Sequence, residues 1–306
     1  MRATISLELY SAYFLSIATL GIVTVVLITQ ASSYIVYRLS RGNPLRRSMM
    51  LYPILSSSVF FWSFLGTSLV VCTLFLDSYE WQRQRTVELV FGSSLLASLG
   101  LASLLSIIAR KFAFPRMLEG MIAGSFSGST MSGSCAELCR KMKMEGVDLR
   151  EATVGNAFSL DNNGRKVVAV SPDMVASMSS AEVEAVIAHE LSHLKNNDSQ
   201  EKGLARLAKL AFAFDPILHL VEAAVHRERE LLADQSSVIY TEKPLALASA
   251  LLKVHSAHLA TLPGPGAGLF VGHNSRGLLS RYPDLDRRVQ LLINIAREMK
   301  TQTVPA

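Results

Sequence analysis

The first third of the chain contains three long stretches almost free of charge, near Tyr10 to Tyr37, Leu51 to Leu76 and Leu89 to Ala109. Each exceeds the roughly 20 residues that a helix needs to cross the hydrocarbon core of a bilayer. No other property of the sequence restricts the fold as much. Uncharged runs of this length are rare in globular cores, and a secretory signal peptide does not explain three of them. Three transmembrane helices are therefore expected, and the positive mean hydropathy of +0.30 averages this apolar third with a far more polar remainder.

Basic residues predict the orientation, because cytoplasmic loops beside membrane spans are enriched in Lys and Arg while acids count for little. The loop after the first stretch carries Arg38, Arg41, Arg46 and Arg47 without an acid, and Arg110, Lys111 and Arg116 follow the third. The other side has Arg2, together with Arg83 and Arg85 offset by Asp77 and Glu80. The N-terminus is expected outside and the part of the chain from residue 116 onward in the cytoplasm, in a multi-pass cell-membrane protein. The net charge of +5 comes partly from these arginines. It points to anionic lipid as a partner, and no nucleic-acid or phosphate-binding motif is present.

Two domains are expected: a membrane domain over 1–115 and a second domain over 116–306. The Gly- and Ser-rich stretch Gly120 to Ser134 reads as a connector or loop. Leu204 to Val225 is apolar enough to suggest a fourth span, but Arg206, Lys209, Asp215 and Glu222 would each cost roughly 2.5–3.5 kcal/mol near the bilayer centre. Pro216 would also interrupt such a helix. It reads instead as two helices of the second domain. Cys135 and Cys139, one helical turn apart, and Cys72 read as reduced thiols.

The second domain holds the chemistry. In His189 Glu190 Leu191 Ser192 His193 two imidazoles stand at i and i+4 on one helical face, where both can bind a zinc ion. Glu190 stands beside the metal's open position, able to take a proton from a water that the metal has acidified. Ser179 with Glu182 makes a capping box, so the helix is expected from about Ser180 to Lys195, ending in Asn196 Asn197 Asp198. A catalytic zinc needs a third protein ligand. The helix predicted from Asp215 Pro216 to about Tyr240 offers Glu230 and Asp234, four apart on one face. One carboxylate can ligate while the other holds a ligand histidine by its second ring nitrogen. Glu228, Glu222 and His226 are rival ligands.

His189 Glu190 x x His193 followed by Glu230 x x x Asp234 resembles the gluzincin arrangement of HtpX-like and CAAX prenyl endoprotease-like membrane metallopeptidases. Gly155 Asn156 Ala157 Phe158 resembles the Asn-Ala-Phe strand of that family. The resemblance implies that Asn156, Ala157 and Phe158 flank the cleft and pair with an extended substrate backbone. Independently, Ala157 to Leu160 and Lys166 to Val170 read as strands of a hairpin turned at Asn163-Gly164. The family often has His-Pro before Arg-Ile or Arg-Val near its C-terminus; here Tyr282 Pro283 leads to Arg287 Arg288 Val289. Tyr282 is a candidate donor to an oxyanion, and His273 in the Gly-rich stretch Gly264 to Gly277 is an alternative.

The expected fold is mainly α with a small β-sheet: three transmembrane helices plus a zincin-like cytosolic metalloprotease domain. The expected activity is zinc endopeptidase action on membrane or membrane-proximal proteins. His189, His193 and Glu230 would hold one Zn2+, Glu190 would act as general base, and Asp234 would orient a ligand. The chain also resembles the beta-lactam sensor-transducer proteases through Phe214 Asp215 Pro216 and Arg229 Glu230, which implies a signalling role without their extracellular sensor. A non-proteolytic membrane scaffold is the remaining alternative, and the intact Glu190 speaks against it.

Overall fold

The computed structural model describes residues 2–40, 42–75, 92–100, 103–104, 107, 126–130, 134–152, 157–162, 165–260, 280 and 282–303. Two compact units emerge, one formed by Met1–Lys111 with Leu204–Val221, the other by Phe112–Gly203 with Glu222–Ala306.

In the first unit, helices α1 (Arg2–Leu39) and α2 (Pro44–Phe75) pack on each other. Asn43 accepts from the Arg46 amide at 3.0 Å and Pro44 opens α2. This cap-then-proline arrangement satisfies one terminal donor and presets the first helical φ. Arg47 lies 4.4 Å above the Tyr37 ring, and Gln30 donates to Ser58 at 3.0 Å. Thr19–Leu39 and Pro44–Ser68, with 21 and 25 residues, are long and apolar enough to cross a membrane. Leu20, Val25, Leu27 and Ile28 of α1 point outward, exposed; lipid, unlike water, accepts such a surface without cost. Within the third apolar stretch residues 92–100 are helical, and most of the rest lies outside the described residues.

Leu204–Val221 groups with α1 and α2, whereas the sequence assigned it to the second domain. Its polar residues explain how. Asp215 is buried, but Trp62 of α2 donates to its Oδ2 at 2.9 Å and the Ile217 amide to its Oδ1 at 2.8 Å. The Trp62 and Phe214 rings meet edge-on at 4.6 Å. Both oxygens of one of the charged residues that argued against apolar surroundings are thus hydrogen-bonded.

The second unit is built on a four-stranded sheet in the order β1 (Phe126–Thr130), β2 (Val147–Ala152), β4 (Arg165–Val170), β3 (Ala157–Asn162). β2 and β4 are parallel; β1–β2 and β3–β4 are antiparallel. Pairing of Asn162 with Arg165 leaves a two-residue connection, 163–164, which lies outside the described residues. Strand β1 occupies the stretch expected to be a connector. A strand needs only backbone partners, so Ser and Gly composition does not prevent it when β2 offers an edge.

Seven further helices are described: α3 (Ser134–Lys141), which precedes β2, and then α4 (Pro172–Ser177), α5 (Ser180–Lys195), α6 (Asp198–Ala211), α7 (Pro216–Thr241), α8 (Pro244–Ala260) and α9 (Leu285–Thr303). α6 and α7 each run from one unit into the other. Helix α5 begins at the expected capping box: Ser179 Oγ accepts from the Glu182 amide at 3.4 Å and Glu182 accepts from the Ser179 amide at 2.6 Å. It ends at Asn196, where Asn197 takes a positive φ of 52° before α6 starts. Residues 185–192 are buried without a break, because β3, β4, α3 and α8 pack around the helix. Val168 and Val170 of β4, Leu247 and Leu251 of α8, and Leu292 of α9 complete this core. A polar residue on α5 is therefore placed at the centre of the unit.

Candidate metal centre

Two polar side chains of that central helix are the motif residues. His189 and Glu190 are buried, and His193, one turn on, keeps 11 % of its side chain exposed. Burial of ionisable groups demands partners, so the question is what meets them.

The two rings stand perpendicular with their Nε2 atoms 3.2 Å apart. Glu230 of α7 completes the group: its Oε2 lies 3.5 Å from His189 Nε2 and its Oε1 3.6 Å from His193 Nε2. Donors about 2.0–2.1 Å from a tetrahedral zinc would be ~3.3 Å from each other, so the three side chains fit a single ion of that size. The ligand-type atoms of His189, Glu190 and His193 all fall within 4.8 Å.

Each histidine is backed in the same way. His189 Nδ1 lies 3.1 Å from Asp234 Oδ1, and Asp234 receives a bidentate Arg288, Nε at 2.7 Å and Nη2 at 2.6 Å. His193 Nδ1 lies 2.7 Å from Asp198 Oδ2, and Arg229 Nη1 donates to Asp198 Oδ1 at 3.0 Å. A carboxylate on Nδ1 holds the proton there and turns the Nε2 lone pair toward the common point. Ser237 Oγ donates to the Ala185 carbonyl at 2.7 Å, fastening α7 to α5 one turn from Asp234 and one turn from His189.

The electrostatics follow from this packing. Burial disfavours a charged His189, but Asp234 and Glu230 together outweigh it and raise its pKa to about 9. Burial likewise works against the Glu230 carboxylate, yet Lys202 and the two histidines hold its pKa well below the usual carboxylate range. Asp234 is also lowered, its burial overcome by Arg288 and His189. Arg288 is raised despite burial, chiefly by Asp234.

Of the rival ligands, Glu222 and His226 lie 3.4 Å from each other, and Glu222 and Glu228 are buried on α7. Ala157 and Phe158 are buried in β3, an edge strand that packs against α5; Asn156 and His273 lie outside the described residues. Tyr282 is half-buried and acts electrostatically on Arg288. Asp284 caps α9, accepting from the Asp286 amide at 3.3 Å. Sequence reasoning missed Asp198, Arg229, Arg288 and Lys202 as members of the centre. Asp198 was read as a helix stop, although a carboxylate at i+5 from the second histidine can fold back on its Nδ1.

The family described as BlaR1 peptidase M56 matches residues 164–274, which include α5 and Glu230. An HtpX protease homologue of Methanopyrus kandleri is 29 % identical over 47 % of this chain and 58 % of its own length. One from Pyrococcus abyssi is 31 % identical over 48 % of this chain and 65 % of its own. Over about half of its length the chain is similar to these HtpX protease homologues. It spans about three fifths of the length of these HtpX relatives. A further HtpX homologue, of Gemmatimonas aurantiaca, is 33 % identical over 33 % of this chain and 47 % of its own length. Among solved structures, Ste24p of S. mikatae aligns over 90 % of this chain and 97 % of its own, with 12 % identity and a TM-score of 0.38.

Proposed function

We propose that the chain is an integral-membrane zinc endopeptidase whose catalytic part, from about residue 116, faces the cytoplasm, with the N-terminus outside. The observation that carries the reading is the convergence of His189, His193 and Glu230 donors at 3.2–3.6 Å, with Glu190 buried beside them. The bound ion would supply Lewis acidity to the peptide carbonyl and acidify the attacking water. Glu190 takes the water's proton as general base and returns it to the leaving amine as general acid. Asp234 fixes the tautomer of His189. The edge of β3 at Asn156, Ala157 and Phe158 pairs with the extended substrate, and Tyr282 donates to the oxyanion. Membrane or membrane-proximal proteins are the substrates such a placement favours. Arg38 at the end of the first span and Arg46 and Arg47 at the start of the second support the orientation.

The match to the BlaR1 peptidase favours a second reading, a protease switched on by a signal from the membrane. Zinc content and casein cleavage by detergent-purified protein test both. Wild type should hold about one zinc per chain. Glu190→Gln should keep the zinc and stop cleavage, and Glu230→Ala should lose the metal. Wild type without zinc overturns the proposal; zinc without cleavage in wild type favours the signal-gated form or a scaffold.

A further inference from the structure

We propose that Lys202 is a catalytic residue, donating a hydrogen bond to the oxyanion that develops on the scissile carbonyl; this rests on the peptidase reading above. Lys202 stands on α6, one turn after Asp198, and its ammonium donates to Glu230 Oε1 at 2.8 Å. That oxygen lies 3.6 Å from His193 Nε2. The ammonium is therefore fixed at the rim of the donor cluster, next to the place where the carbonyl must sit.

The other cations of the centre make their short bonds to the carboxylates behind the histidines. Arg288 is spread across both oxygens of Asp234, with its Nη1 3.9 Å from Glu230 Oε2, and Arg229 binds Asp198, so the main bonds of each serve a carboxylate that backs a histidine. Lys202 differs: among the described residues one of its three N–H groups is used, and 19 % of its side chain is exposed. Two donors remain for a substrate that reaches the centre. The carboxylates of Glu230, Asp198 and Glu190 all act electrostatically on the ammonium.

The charge movement of hydrolysis suits this position. The water oxygen bonds to the carbonyl carbon while its proton passes to Glu190. The C–N bond then breaks as Glu190 returns that proton to the amine nitrogen. Between these events negative charge leaves the Glu190 carboxylate and appears on the carbonyl oxygen. An ammonium already in the field of Glu190 follows that charge with little movement.

The experiment compares full-length wild type, Lys202→Met and Lys202→Arg in detergent. It reads zinc content, kcat and KM on casein, and affinity for a phosphinic pseudodipeptide, whose tetrahedral anion mimics the oxyanion. Lys202→Met should keep one zinc per chain and lose roughly 10²–10³-fold in kcat with KM within about twofold. Affinity for the phosphinic probe should fall by a similar factor, and Lys202→Arg should regain at least about tenfold of both. A Lys202→Met protein that binds the probe as wild type does overturns the proposal. So does one that loses zinc, since Lys202 would then be positioning Glu230. Wild type without zinc, by contrast, overturns the peptidase reading itself.

Discussion

At the residue scale the centre consists of two mirrored chains, Arg288–Asp234–His189 and Arg229–Asp198–His193, meeting at one point. Asp234 is fully buried, so Arg288 is what makes its charge tolerable. Arg288→Met should destabilise the protein by roughly 3–5 kcal/mol, because it leaves an uncompensated buried carboxylate. It should also weaken zinc binding by about 10–100-fold. Thermal unfolding in detergent and chelator competition measure the two effects. Asp198→Asn should weaken zinc similarly, and unchanged chelator competition in that variant would refute the mirrored arrangement. His189, Glu190, His193, Glu230 and Asp234 were legible in the sequence because both helices place their polar residues four apart. Asp198, Lys202 and Arg288 were not. Their partners are 5, 28 and 54 positions away, and no periodicity connects such residues before the fold does.

At the element scale α5 depends on its first turn. Glu182 caps the helix and also accepts from Lys253 at 2.7 Å and Ser249 at 2.6 Å. Burial opposes its charge, but these bonds bring its pKa from 4.5 down to about 2. A carboxyl group lowered by folding stabilises fully above its unfolded pKa and loses that contribution as pH falls through the folded value. Glu182→Gln should therefore cost about 1 kcal/mol at pH 7, the exposed Lys253 limiting the gain. The difference from wild type should close between pH 4.5 and about 2. A gap in unfolding midpoint that persists at pH 2 would show that lost packing, not charge, is responsible. The limits of α5 were legible because a capping box is a local pattern. Strand β1 was hidden for the opposite reason: its stability comes from pairing with β2, and its Ser and Gly residues carry no strand signal.

At the scale of the whole molecule the apolar helices announce themselves by length and charge alone, whereas the grouping of Leu204–Val221 with them does not. The charges in that otherwise apolar segment argue against such surroundings until Trp62 and the Ile217 amide are seen to bind both oxygens of Asp215. Trp62→Phe should remove one of those bonds and destabilise the first unit by about 1–3 kcal/mol, read as a lower thermal midpoint in detergent. The proposed orientation is checked in intact cells with a membrane-impermeant maleimide on a cysteine-free background. Arg46→Cys, exposed at the start of the second span, should react only after permeabilisation. Labelling before permeabilisation would invert the topology.

Because every candidate ligand is already braced from behind by protein, the cradle should keep its shape with nothing in it. A metal arriving there would organise little and lose little to entropy. A chelator should then act on this protein as a reversible off switch and not as a denaturant: cleavage should vanish while helicity and thermal midpoint shift only slightly, and zinc alone should restore it.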